Sequence, residues 1–129
     1  MLSLASVPLP RIGAFRLNQK GYLRLDNRPL SIQGTMQENE GIPFDLRRSK
    51  TFSRVDDRIL HRLDAFDNRL LHQPNAISDE TDAWSKMASL TVARAIFPRM
   101  FREEFNEGPF VYVLTDLHRS SIFVDVIGM

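Results

Sequence analysis

Apolar and polar positions alternate early in the chain, at "RIGAFRL" and again at "YLRLD". Ile12, Ala14 and Arg16 take one side of an extended backbone and Gly13, Phe15 and Leu17 the other. After "NQKG", Leu23 and Leu25 share a face again. An Asn at the start of that tetrapeptide and a Gly at its end are turn composition, so residues 11–30 are expected to form a β-hairpin. "DNRP" closes its second strand, because Pro29 has no amide to give to a ladder.

Residues 31–52 show no sustained period and are punctuated by Gly34, Gly41 and Pro43. They read as a loop insertion with at most a short extended piece, and a loop of that length packs on something or serves as a lid. Helical periodicity then dominates residues 53–105. Val55, Ile59, Leu63, Phe66 and Leu70 recur at steps of four, four, three and four, which is one helical face. Ser53 stands where a cap is wanted, and Asp56 and Asp57 suit the positive end of the dipole. His61, Asp64, Asp67 and Asn68 fall off the stripe and are expected in solvent, and Pro74 ends the helix.

A second helix is expected after Ser78, again a cap, with Trp84, Met87, Ala88, Thr91, Val92 and Ala95 as its core-facing side. Pro98 should kink or break it, with "RMFREEF" continuing for a further turn or two. "NEGP" reads as a turn. "FVYVL" has the composition of a strand buried on both faces, and "IFVDV" mirrors it, giving a second hairpin over residues 110–127. The fold class is α+β.

Composition narrows the function more than the fold. At 129 residues the chain is one domain's length, and 43% hydrophobic with 26% charged residues is globular composition. Seventeen basic residues against sixteen acidic give a net charge of +1. That balance offers no electrostatic footprint for nucleic acid or an anionic membrane. The run "LRRSK" therefore reads as a solvated loop, and neither it nor Arg54 makes a nucleic-acid site. No cysteine is present, which excludes disulfides, thiol nucleophiles and thiolate metal sites. "MLSLASVPLP" lacks a basic leader region, and no apolar run approaches the roughly 20 residues that cross a bilayer. A soluble, cytoplasmic protein is expected.

One stretch could carry chemistry: "TDLHRSS", between the two strand-like runs near the end. A carboxylate at a strand end beside a polar loop is where a general base can meet a hydroxyl. Phosphoryl transfer needs such an acid, and an oxygen ligand for Mg²⁺ a few residues on. In kinase-type loops four residues separate the acid from the metal-holding Asn. Asp116 and Ser121 meet that spacing, although Ser121 is not Asn. Spacing alone leaves an ordinary hairpin ahead, with Asp116 capping a turn and His118 and Arg119 solvated.

The longer stretch "LTDLHRSSIFVD" resembles the catalytic loop H-G-D-x-H-x-x-N and following I-[LF]-V-D strand of the aminoglycoside phosphotransferase/choline kinase-like family, within the protein-kinase-like superfamily. It is most similar to the fungal branch of phosphotransferase-enzyme-family proteins, whose loop usually runs L-T-D-x-H-x-S-N-I-F-V-D. "PRIGAFRLNQKGYLRLDNRPLSIQ", "ENEGIPFDLRRSKTFSRV", "HRLDAFDNRLLHQPNAI" and "EEFNEGPFVYVLTDLH" look like the same branch, so the resemblance covers almost the whole chain. It implies a partial kinase-like C-lobe over residues 1–129, ATP and Mg²⁺ as cofactors, and a small-molecule hydroxyl acceptor. Asp116 would be the catalytic base, His118 would support the loop, and Ser121 would occupy the metal-ligand position.

The same comparison marks departures. Leu114 and Thr115 replace the family's His and Gly, a habit of the branch, and Ser121 offers one neutral hydroxyl where Asn offers a carbonyl. No Gly-rich phosphate loop occurs, Lys20, Lys50 and Lys86 belong to a turn, a loop and a helix, and no I-x-D-x-E segment follows the loop. Asp125, at the end of the "IFVD" strand, is not that second metal-binding acid. The expectation is the middle of a larger phosphotransferase, inactive as this chain alone. The alternative is a non-catalytic, pseudokinase-like binding or regulatory module, with a protein partner covering apolar faces left open.

Overall fold

The computed structural model describes residues 6–113 of the chain. Asp116, His118 and Ser121, and most of the hairpin expected over 110–127, lie outside the described residues.

The expected first hairpin is present. β1 (Ala14–Leu17) and β2 (Leu23–Asn27) pair antiparallel, with Phe15 opposite Leu25 and Leu17 opposite Leu23, and an irregularity between Ala14 and Phe15. Asn18 makes the turn: its Oδ1 accepts from the amides of Lys20 and Tyr22, both at 2.9 Å, while Gly21 takes a left-handed φ of 78°. Arg16 clamps Asp26 through two hydrogen bonds of 3.0 and 3.1 Å. Just before β1, a side chain at Gly13 would meet the Asn27 carbonyl at 2.8 Å and Thr51 at 2.9 Å, so only glycine lets these segments approach.

The stretch expected as a loop holds a helix, α1 (Ile32–Asn39). Ser31 caps it by accepting from the Gly34 amide. Gly41, with φ of 70°, ends it: the Gly41 amide donates to Glu38 and the Ile42 amide to Gln37, the two bonds of a Schellman motif. Helical periodicity is faint here because α1 buries only Gly34 and Gln37, neither of which signals an apolar stripe. Gly34 lies against the Phe44 ring, and Gln37 Nε2 donates to the Ala65 carbonyl at 2.6 Å.

α2 (Val55–His72) is the central helix. Its Leu63 and Ala65, with Ile42, Leu46 and Phe52 from the 42–52 segment, are the buried apolar residues among those described. Arg28, also buried, ties that segment down. Its guanidinium donates to the Leu46 carbonyl at 2.7 Å and to Glu38 at 2.5 Å, and stands 5.2 Å from the Phe44 ring centre. His61 is not in open solvent as its off-stripe position suggested. It packs edge-on between Phe44 and Phe52, and its Nε2 lies 3.2 Å from the Asp45 carbonyl. Asn68 likewise donates to the Pro43 carbonyl, so the 42–46 segment widens the buried side of α2 beyond the aliphatic stripe.

α3 (Glu80–Met100) starts one residue later than expected. Asp79 is its cap, accepting from the Asp82 amide, while Ser78 donates back to Asp82 through its amide and hydroxyl. The helix runs through Pro98 and stops two residues on. So close to the C-terminal end, the missing amide removes one hydrogen bond without breaking the rod. Of "RMFREEF" only Arg99 and Met100 carry the helix on, short of a further turn; a 3₁₀ turn, Glu103–Phe105, follows Phe101 and Arg102.

The helix also turns a different side inward. Leu90, Ala93 and Arg94 are half-buried toward α2, where Arg94 pairs with Asp64 and Asp67. The expected core side faces out: Trp84 is 68% exposed, Met87 57% and Val92 54%. The Arg94 pairs decide this rotation, because a guanidinium serving two carboxylates on α2 fixes which side of α3 faces it.

Candidate functional site

The approach to the candidate loop is built from the N-terminal segment, the start of α2 and residues 106–113. Sequence reading made Ser53 the cap of α2, but the residue before the helix is Arg54, which makes no side-chain cap bond, and locally only Asp56 reaches a first-turn amide, its Oδ1 accepting from Asp57 at 2.8 Å. The Val55 and Asp56 amides are capped by Asn106, 51 positions on from Val55. Its Oδ1 accepts from the Val55 and Asp56 amides, both at 3.0 Å, and its Nδ2 donates to Asp56 Oδ2 at 3.0 Å. Arg54 closes the cluster with two bonds to Asp56 and one of 2.7 Å to Glu107. The Arg54 guanidinium first, and Asn106 second, hold the Asp56 carboxyl well below the usual carboxylate range. The same pairing, chiefly with Asp56, raises Arg54.

Phe110 follows the Gly108–Pro109 bond, which is cis. It pairs with Leu9 in an isolated antiparallel bridge, the Leu9 amide donating to the Phe110 carbonyl at 2.7 Å. A second bridge joins Ile12 to Phe52. Val111 to Val113 form no ladder and are exposed, so the doubly buried strand read into "FVYVL" is not formed over these residues. Among the described residues its one strand-like partner is Leu9, and the "IFVDV" run expected to mirror it lies outside the described residues.

Between these segments lies an open groove of about 440 Å³, walled by Leu9, Ile12, Phe15, Leu30, Phe110 and Tyr112. The Phe15 and Tyr112 rings meet at 5.8 Å, tilted by 51°. Among the described residues of its lining Arg11 is the one charged side chain, and its guanidinium donates to Thr51 at 3.4 Å. The groove can accept an apolar or aromatic group. Among the described residues that line it there is no acid or histidine.

The sequence-assigned residues Asp116, His118 and Ser121 are not among those described; Val113 stands three positions before Asp116. Among the described residues no group of three His, Asp or Glu side chains could hold a metal ion. The lysines sit where the sequence put them. Lys20 is in the hairpin turn, Lys50 in a loop 5.5 Å from the Phe52 ring centre, and Lys86 on α3 donating to Asp82 and the Ala76 carbonyl. No described helix is long and apolar enough to cross a membrane.

The structural role of Asn106 escaped the sequence reading. The one local sign was a cap-competent residue in "NEGP", which also fits an ordinary turn. Compared with known proteins, the chain matches no family model, no curated protein and no solved structure.

Proposed function

We propose that the chain carries the catalytic-loop region of an ATP-dependent phosphotransferase that transfers the γ-phosphoryl group to the hydroxyl of a small, hydroxylated or amino-alcohol substrate. In this reading the hairpin and α1 to α3 belong to a kinase-like C-lobe. The Asp116 carboxylate takes the proton of the attacking hydroxyl, and His118 holds the loop in shape. Ser121 presents a hydroxyl oxygen toward the metal position. Mg²⁺, bound with ATP, would supply charge neutralisation at the transferring phosphoryl group. A single neutral hydroxyl is a poor substitute for a carbonyl ligand, so metal affinity at this position is expected to be weak.

The observation that carries the reading is the resemblance of "LTDLHRSSIFVD" to the family's catalytic loop, and the context that leads into it supports the reading. Phe110 is tied to Leu9, Asn106 is locked onto the start of α2, and Tyr112 packs on Phe15, so the approach to Asp116 is anchored from three sides. A catalytic loop needs such a fixed approach to hold its acid in place.

The 129 residues contain no Gly-rich phosphate loop, and none of the described lysines stands on a strand, so this chain alone is expected not to bind MgATP. Isothermal titration tests this, and micromolar binding would overturn it. Reading the genomic DNA on both sides tests the family assignment. An in-frame lysine-bearing lobe upstream and an I-x-D-x-E segment downstream are expected, and unrelated flanking sequence would count against a catalytic role. The second reading, a non-catalytic binding module, is favoured by one observation: α3 leaves Trp84, Met87 and Val92 uncovered.

A further inference from the structure

We propose that the outward side of α3 is a self-association surface, on which a second copy of this chain docks with its own α3 antiparallel. The inference is independent of the phosphotransferase reading.

Glu80, Trp84, Ala88, Thr91, Ala95 and Arg99 follow one another at steps of four, four, three, four and four, which makes a single stripe along the helix. All six are exposed, and Met87 and Val92 flank the stripe, also exposed. Between Lys86 and Arg99 the only charge is Arg94, and it is turned away to Asp64 and Asp67. The hydroxyl at the centre of this side is already satisfied: Thr91 donates to the Met87 carbonyl at 2.9 Å. Covering it therefore strands no donor.

The order of residues along the stripe identifies the occupant. Glu80 with Arg99, Trp84 with Ala95, and Ala88 with Thr91 all share one midpoint, between Ser89 and Leu90. A two-fold axis through that point sets each residue against its mate on the second copy, as an isologous contact requires. The largest side chain then meets one of the smallest, and small residues at the centre let the helices approach to about 8–10 Å. At the ends, Glu80 faces Arg99 of the second copy. Among the described residues neither side chain has a hydrogen-bond or ion-pair partner.

The test is sedimentation velocity on the purified 129-residue chain between about 1 and 200 µM, with circular dichroism to verify folding. A concentration-dependent dimer is expected. Ala88→Glu, at an exposed site near the axis, should raise its dissociation constant about tenfold or more. Glu80→Arg and Arg99→Glu should each weaken the dimer, and together they should restore it. These end-of-helix charge exchanges keep the question decidable if Ala88→Glu perturbs folding. A monomer across the whole range would overturn the proposal, as would a dimer indifferent to Ala88→Glu or charge exchanges that fail to compensate.

Discussion

Replacing Asn106 with alanine removes the side chain that caps the first two amides of α2, and its effect can be worked out bond by bond. The Val55 and Asp56 amides lose the Oδ1 acceptor, and Asp56 loses the Nδ2 donor. Two partners survive. The Asn106 backbone carbonyl still accepts from the Val55 amide at 2.9 Å, and Arg54 still holds Asp56. Losing a side-chain cap costs about 0.5–2 kcal/mol, and a hydrogen bond to a charged group about 1.5–3 kcal/mol, less here because Arg54 remains. The expected loss is therefore about 2 kcal/mol, which at a slope of about 2 kcal/mol/M lowers the urea midpoint by about 1 M. Ser53→Ala is the control. Ser53 is the cap that sequence alone suggests, yet it gives α2 no hydrogen bond in the structure, so its replacement should change stability by less than about 0.5 kcal/mol. Equal losses in the two variants, or a larger one at Ser53, would refute the reasoning.

Three further outcomes follow from the same structure. Gly34→Ala should destabilise by about 1–2 kcal/mol in thermal melts, because the new methyl meets Phe44 at 2.8 Å and overpacking outweighs the roughly 1 kcal/mol gained in helix propensity; a gain in stability would contradict this. Arg28→Met should cost about 2 kcal/mol in urea unfolding by leaving the buried Leu46 carbonyl and Glu38 without their donor, and an unchanged midpoint would contradict that role. Asp56 is held below its unfolded pKa of about 3.9, so its contribution is complete above that pH and lost as pH falls through the lower folded value. Asp56→Asn should flatten the acid decline of stability below about pH 4, whereas parallel stability-versus-pH curves for the two proteins would show that Asp56 does not drive it.

Much of the secondary structure could be read from local chemistry. The hairpin was legible because alternation, Asn18 and Gly21 agree, and α2 because its aliphatic steps hold one face for four turns. α1 was hidden by a glycine inside it and a glutamine on its buried side, although Ser31 and Gly41 bracket it as cap and terminator. Which side of α3 faces inward was not legible, since apolar residues surround the helix and the choice is made by Arg94 reaching acids on α2. The Asn106 cap was hidden for a different reason. It joins positions 51 apart, and no period or local motif reports a contact of that range. For the candidate site, sequence supplied Asp116, His118 and Ser121 through resemblance, and the structure supplies the anchored approach that ends at Val113.

The most direct test of the phosphotransferase reading is ATP-dependent phosphoryl transfer by the protein expressed with its in-frame flanking sequence, with and without Asp116→Asn. If Asp116 is the base that accepts the hydroxyl proton, the substitution should lower kcat by about 10²–10⁴-fold while leaving the fold intact. Turnover that is unchanged in Asp116→Asn would contradict the assignment of this loop.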